Sequence, residues 1–249
     1  MKKIFFIIIM FSIELCADNE IYINQSGDNL NLKIRQFGDN NKVDTVMSGY
    51  QLTMDVLQEG NRNELLKSGS GISGDGNSIT TQQWNNTISS DVNKMYIDVN
   101  GNNNTVNVGQ GCKFAGGMSD TSCDRDTHED AGHTLYVDIL GGSNTIKGGQ
   151  KSGTANPDHN LSIDVDSDSN DVFYTQAGSG EKNLTLNIDN DSNDVTVNQL
   201  YGTHTDNVTL DGSDPTMLNL TQQGSGVMNY TLTQNCVTLG GCTITVTQQ

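Results

Sequence analysis

The chain has 249 residues, and 30 Asp and Glu against 13 Lys and Arg give it a formal net charge of −17 at pH 7. This acidic balance argues against nucleic-acid binding through phosphate contacts, which needs basic stripes. The chain also contains 30 Asn, 25 Thr, 24 Asp and 27 Gly, residues that favour turns and strand surfaces over helix interiors. A helical bundle and a doubly wound α/β fold are therefore not expected.

Residues 1–17 have the pattern of a secretory signal peptide. Two lysines are followed by an almost purely apolar run over residues 4–13, which is too short to cross a bilayer. We expect cleavage after Ala17, and the alternative is a lipoprotein acylated at Cys16. The expected mature chain, residues 18–249, would be exported and free of the membrane.

The first repeats of the mature chain share the motif Q-x-G-x-x-N. Gln36 and Asn41 bound the first copy, and Gln58 and Asn63 bound the second, 22 residues further on. Over residues 21–65 the pattern resembles the curlin repeat of curli amyloid subunits. That resemblance implies an exported β-solenoid subunit that assembles into extracellular fibres used in adhesion and in biofilm matrix.

A Gln marker recurs through the whole chain and predicts the architecture. Strictly alternating apolar residues between the markers indicate strands rather than helices. Two short strands and two turns per step correspond to one coil of a β-solenoid. We expect an all-β chain of about nine stacked two-strand coils with a period of about 22–26 residues. The marker residues are Gln36, Gln58, Gln82, Gln110, Gln150, Gln176, Gln199, Gln222 and Gln248.

In four later repeats an Asn precedes the Gln marker by six residues. These are Asn104, Asn144, Asn170 and Asn193, which precede Gln110, Gln150, Gln176 and Gln199. In-register stacking places equal side chains above one another, so that amides can hydrogen-bond along the axis. We expect these Asn and Gln residues, together with Asn41 and Asn63, to form structural ladders around a thin core of Val, Ile and Leu.

The longest step between markers, 40 residues, holds an insertion over residues 111–133, which we expect to leave the rod as a loop. Without Cys16, four cysteines remain and allow three pairings. Their local clustering and an oxidising compartment favour the disulfides Cys112–Cys123 and Cys236–Cys242. The alternative is a zinc site with ligands of suitable type but unusual spacing: Cys112, Cys123, His128 and His133.

Acidic residues recur at one phase of the repeat, at Asp98, Asp138 and Asp164. Asp164, Asp166 and Asp168 alternate along the chain, and oxygen ligands of this kind suit Ca²⁺. The sixth and twelfth positions of a calcium loop would need Gly and Glu, however, and this segment has neither there. The alternative is a row of solvated turns that keeps the rod soluble.

No catalytic motif is present, so we expect a structural and adhesive protein rather than an enzyme. Residues 21–23 and 243–249 are β-prone and carry little charge, which favours head-to-tail self-association into a secreted, cell-surface fibre. Related fibre subunits or a host surface would be further partners. The alternative function is a soluble ligand-binding solenoid, such as a receptor-binding fibre segment or a calcium-dependent surface binder.

Overall fold

A computed structural model describes residues 8–9, 19–27, 29, 31–49, 51–66, 71–85, 91–114, 117–119, 123–125, 132–152 and 157–249. The chain is all-β, with 66% of it in strands and nearly no helix. Most of the strands belong to two parallel sheets. The predicted cleavage after Ala17, the acylation of Cys16 and His128 lie outside the described residues.

The two sheets, A and B, face each other along the rod. Sheet A contains β1 (Ile8–Ile9), β3 (Asn31–Phe37), β5 (Thr53–Gly60), β8 (Ser78–Asn85), β10 (Thr105–Gln110), β14 (Thr145–Ser152), β16 (Asp171–Gly178), β18 (Asp194–Tyr201), β20 (Thr216–Gly224) and β22 (Cys242–Gln248). Sheet B contains β2 (Glu20–Asn24), β4 (Lys42–Val46), β6 (Asn63–Leu66), β7 (Ile72–Ser73), β9 (Asn93–Asn100), β13 (Thr134–Leu140), β15 (His159–Ser162), β17 (Lys182–Ile188), β19 (His204–Gly212) and β21 (Met228–Cys236).

Two short elements lie outside these sheets. The strands β11 (Cys112–Lys113) and β12 (Asp124–Arg125) form a small antiparallel pair, and Gly117–Ser119 is a single turn of 3₁₀ helix. Both belong to the predicted insertion. Among the described residues no helix is long and apolar enough to cross a membrane.

The predicted β-solenoid is confirmed. Each turn contributes to both sheets, and in one turn the segments β6 and β7 both pair with β9. Successive strands pair in parallel and in register, as Val106 does with Ile146 and Ile146 with Val172. The chain makes about eight turns, slightly fewer than the nine coils predicted. The difference arises because nine Gln positions along the sheet are separated by only eight steps.

The core lies between the two sheets and is one side chain thick on each side. In β13 the inward residues Leu135, Val137 and Ile139 are completely buried, and the residues between them are more exposed. Burying such a side chain contributes about 1.5–3 kcal/mol, and the repeat supplies several in each turn. One large ring interrupts the pattern: Tyr174 is fully buried, and Gly148 in the rung beside it leaves the space that the ring occupies.

The corners between the sheets require left-handed backbone. At six of them a non-Gly residue has φ between 56° and 64°. Each directly precedes a buried Asn, which identifies the motif behind the Asn signal in the sequence. The left-handed residues are Asn40, Arg62, Asn103, Ser143, Ser169 and Ser192. Asn tolerates this region better than most residues, whereas the others depend on the surrounding corner.

Candidate functional site

A column of nine glutamines, buried in all but the last rung, runs along sheet A. The strand register aligns Gln36, Gln58, Gln83, Gln110, Gln150, Gln176, Gln199, Gln222 and Gln248. The prediction of Gln82 as the third member was wrong. Gln82 is paired with Leu57 and lies on the opposite face of β8, whereas Gln83 points inward.

The glutamine side chains connect neighbouring rungs and also brace the two sheets. From Gln83 to Gln248, each Nε2 donates to Oε1 of the next glutamine at 2.6–3.4 Å. Several also donate across the core, as Gln110 does to the Lys94 carbonyl oxygen at 2.9 Å. Because these amides are buried, each satisfied bond avoids the cost of a stranded polar group.

The direction of this ladder reverses near the N-terminal end. Gln58 donates backward to Gln36 at 3.0 Å, while Gln83 donates forward. The Oε1 atoms of Gln58 and Gln83 are consequently buried without a donor among the described residues. The Thr81 hydroxyl oxygen is likewise buried without a hydrogen-bond partner there. The reversal forms a seam between the rungs of Gln36 and Gln58 and the remaining rungs.

The predicted Asn ladder is divided between two opposite corners. Asn41 and Asn63 begin strands of sheet B, and the Asn63 backbone N–H donates to Asn41 Oδ1 at 3.0 Å. A second column precedes the strands of sheet A, where each backbone N–H donates to the Oδ1 below it at 2.8–3.0 Å. Its members are Asn77, Asn104, Asn144, Asn170 and Asn193.

The Asn41 column changes from amides to basic side chains halfway along the rod. Beyond Asn93 its members are His133, His159, Lys182 and His204, all completely buried. His133 therefore belongs to the rod and not to the predicted loop over residues 111–133. The sequence pattern that places these basic residues in the column is their spacing: each stands two positions before an inward residue such as Leu135, Leu161 or Leu184.

His133 replaces the amide in function as well as in position. Its Nδ1 accepts a hydrogen bond from the His159 backbone N–H at 3.1 Å, as an Asn Oδ1 does elsewhere in the column. Its Nε2 lies 3.3 Å from Ser152 Oγ, and that hydroxyl donates to the Pro157 carbonyl. In this arrangement Nδ1 is the hydrogen-bond acceptor and Nε2 faces the Ser152 hydroxyl. Its ring stacks on that of His159 at 4.8 Å between centroids.

Burial depresses the basicity of this column. Burial is the main cause that lowers the pKa of His159 well below 6.5, and the charges of His133 and Lys182 lower it further. Burial likewise lowers the pKa of His204, and it lowers the pKa of Lys182 to about 8. The Lys182 ammonium donates to the carbonyl oxygens of Gly180 and Tyr201 at 2.6 and 3.0 Å.

An acid also points into the core, at a position where the neighbouring rung has Leu184. Asp206 is 2% exposed and accepts a bond from Gln199 Nε2 at 3.0 Å. Burial raises its pKa to about 7, although the bond from Gln199 opposes the shift. A carboxyl group with a pKa of about 7 is partly protonated at neutral pH.

The insertion is partly docked on the rod, in contrast to the predicted free loop. Its Cys112–Cys123 disulfide is confirmed, as is Cys236–Cys242 in the last turn. Lys147, on the outer face of sheet A, lies 4.8 Å from the Phe114 ring centroid and donates to the Met118 carbonyl at 3.0 Å. Bonded cysteines cannot be thiolate ligands, so the alternative of a zinc site at Cys112 and Cys123 is excluded.

Two glycines make this docking feasible. Gly109 and Gly149 occupy neighbouring outward positions on sheet A. A Cβ on Gly109 would overlap the Cys112 sulfur, and one on Gly149 would overlap the Cys112 carbonyl. A glycine inside a strand often marks a site where another backbone approaches closely, so Gly109 and Gly149 are the sequence signal for this docking.

Between the docked insertion and sheet A lies a cleft of about 520 Å³. Lys113, Phe114 and Met118 form its wall, and the outer faces of β16 and β18 form its floor. A smaller cleft of about 280 Å³ continues past Lys113 and Leu200 toward Tyr201. The two together form a lateral groove on sheet A.

The acidic residues proposed for calcium occupy corners. Asp168 accepts a hydrogen bond from the Gly142 backbone N–H, and Asp191 accepts one from the Asp168 N–H, so these carboxylates cap neighbouring turns. Burial, followed by the charges of Asp166 and Asp138, raises the pKa of Asp164. Within the described ranges, no group of three or more His, Cys, Asp or Glu side chains is arranged to hold a metal ion.

The two ends of the rod have unequal surroundings. At the C-terminal end the inward residues Leu232, Ile244 and Val246 are only partly buried, whereas Leu218 and Leu220 one rung earlier are fully buried. At the N-terminal end of sheet A, the short strand β1 pairs with β3. Comparisons of the chain with family models, with curated proteins and with solved structures found no match.

Proposed function

We propose that this chain is an exported structural subunit that stacks head to tail into a fibre used in adhesion or in an extracellular matrix. The observation that carries the proposal is the chemical match between the last rung and the first. The confirmed disulfides support export, because such bonds persist in oxidising compartments. The Q-x-G-x-x-N motif and its curlin resemblance point the same way.

The last rung has the properties of a growing end. In the part of the chain that the structure describes, β21 and β22 each pair with another strand on one side only. Their other edges present backbone N–H and C=O groups, which template the pairing of a further strand. Beside those groups lie the half-buried side chains of Leu232, Ile244 and Val246, whose burial would favour contact with another rung.

The first rung continues the same columns. Ile244 stands in the column that begins at Leu32, and Val246 in the column that begins at Ile34. Gln248 likewise ends the column that Gln36 begins. A second copy placed one rung beyond the first would therefore set apolar residues on apolar residues and an amide on an amide.

The predicted signal peptide bears on this contact. Its Ile8–Ile9 segment pairs with Lys33 and Ile34 and so covers the outer edge of β3. Removal of residues 1–17 would expose that edge, so the proposal places assembly after export. A chain that keeps its leader should elongate more slowly than residues 18–249.

Electron microscopy of purified residues 18–249, with thioflavin fluorescence, tests the proposal. We expect filaments from the unmodified chain and none from the double variant Ile244→Lys/Val246→Lys, whose charges would be buried at the joint. The matched control is Thr245→Lys/Thr247→Lys, which adds the same charge to exposed positions of the same strand. A chain that stays monomeric at high concentration, or a control that blocks growth equally, would favour the ligand-binding solenoid instead.

A further inference from the structure

We propose that the lateral groove between the insertion and the outer face of sheet A binds a neutral carbohydrate chain. The groove lies on the side of the rod, away from the edges of β21 and β22. The inference therefore goes beyond the fibre proposal and does not rest on it.

The wall of the groove is closed by a disulfide and held on the rod by Lys147 and Lys151. The Cys112–Cys123 disulfide closes the insertion, and Lys147 holds it through the Phe114 ring and the Met118 carbonyl. A salt bridge of 3.2 Å joins Lys151 to Asp124. The turns of the solenoid are complete without these contacts, so what the contacts define is the position of the wall above β16 and β18.

The floor offers hydrogen-bonding groups beside an apolar ring. Thr175, Thr196 and Asn198 supply hydroxyl and amide groups, and Phe173 lies among them. Asp171 and Asp194, which are paired in register, stand at one end of the floor and can accept hydrogen bonds. Sugars present hydroxyl groups at their edges, which these polar groups can bond, and C–H groups on their faces, which can contact the half-buried Leu200.

Other ligand classes fit less well. The floor strands are paired on both sides within sheet A, so an extended peptide cannot add to them through its backbone. A polyanion would meet Asp171 and Asp194 on a chain with a net charge of −17. A polycation would meet Lys113 and Lys151 in the walls. A ligand without net charge but with many hydroxyl groups avoids each of these penalties.

The continuity of the two clefts indicates a chain of sugars rather than a single sugar. Lys113 and Leu200 line both clefts, and the second cleft ends near Tyr201, which is 62% exposed. The groove is therefore open at that end. We expect oligosaccharides to bind more tightly than the corresponding monosaccharides.

The test uses residues 18–249 and neutral tetra- to hexasaccharides of glucan, mannan and galactan type, with binding measured by titration calorimetry. We expect at least one series to bind, and Asn198→Ala to weaken its binding by about tenfold, the loss typical of one or two polar contacts. Asn207→Ala, an exposed Asn on the outer face of sheet B, is the matched control and should leave the affinity unchanged.

A second variant, Cys112→Ser/Cys123→Ser, releases the wall and leaves the floor intact. It should also weaken binding by about tenfold while circular dichroism retains the β signal. The inference is overturned by lack of binding to all three neutral series, by stronger binding of a sulfated polysaccharide or a lysine-rich peptide, or by equal losses in the control.

Discussion

The Thr81 hydroxyl shows how much a single buried atom matters in so thin a core. Thr81 stands inward between Val56 and Val108 in one column, and its Oγ1 has no hydrogen-bond partner among the described residues. A buried polar group without a partner costs about 1–3 kcal/mol. Val has nearly the shape of Thr and no hydroxyl group.

Thr81→Val should therefore raise the free energy of unfolding by about 1 kcal/mol, measured by urea denaturation. Thr80→Val, on the outer face of the same strand, controls for the change in strand propensity and should be close to neutral. A loss of stability in Thr81→Val that exceeds any loss in the control would indicate that the hydroxyl has a partner in solution.

Gly149 gives a second prediction at the residue scale. An added methyl group would overlap the backbone of Cys112, which cannot move cheaply because its disulfide holds it. We expect Gly149→Ala to lower the free energy of unfolding by about 1–3 kcal/mol and to make the insertion sensitive to protease. Gly226→Ala, where nothing lies within 4 Å of the added Cβ, is the control and should change neither measurement.

At the scale of elements, the basic column couples stability to pH. The unfolded chain protonates its histidines near pH 6.5, whereas burial holds the pKa of folded His159 well below that value. The unfolded state then binds more protons, so stability falls as pH drops below 6.5. Asp206 acts oppositely: because folding raises its pKa from 3.8 to about 7, it adds stability as pH falls through that interval.

A single substitution separates these opposing effects. His159→Asn restores the amide that Asn41 and Asn63 supply in the same column, and Asp206 contributes equally to both chains. We expect the stability of the variant relative to the unmodified chain to increase below pH 6.5 by up to about 1.4 kcal/mol per pH unit. Chemical denaturation between pH 8 and pH 5 measures this difference, and a constant difference would show that folding does not lower the pKa of His159.

At the scale of the whole molecule, charge opposes assembly. Residues 18–249 carry 11 basic and 29 acidic side chains, a formal charge of −18. Repulsion between copies extends about 30 Å at 0.01 M salt and about 10 Å at 0.1 M. We expect filament growth, followed by thioflavin fluorescence, to accelerate by about tenfold over that range of salt. It should also accelerate as pH falls toward 4.3, and a rate independent of salt would contradict this account.

Much of the fold could be predicted from the sequence because stacking repeats every local signal. The alternation of apolar residues and the recurring Gln defined the solenoid, and local cysteine spacing defined both disulfides. The third Gln could not be assigned correctly, since Gln82 and Gln83 are adjacent and only strand register decides which points inward. The basic column depends on contacts across the corners, and the groove depends on how the insertion lies above β16 and β18. Neither kind of contact produces a repeated sequence pattern.

The lateral position of the insertion has a consequence for avidity. Nine rungs at about 4.8 Å make a subunit on the order of 40 Å long, and the insertion occupies one place on it. A filament formed by stacking would repeat the groove at that interval along one face. A polysaccharide lying along the filament could then engage several grooves at once, and linked sites of this kind exceed the affinity of one site by about 10²–10⁴-fold. Weak recognition by each copy would become firm retention by the polymer.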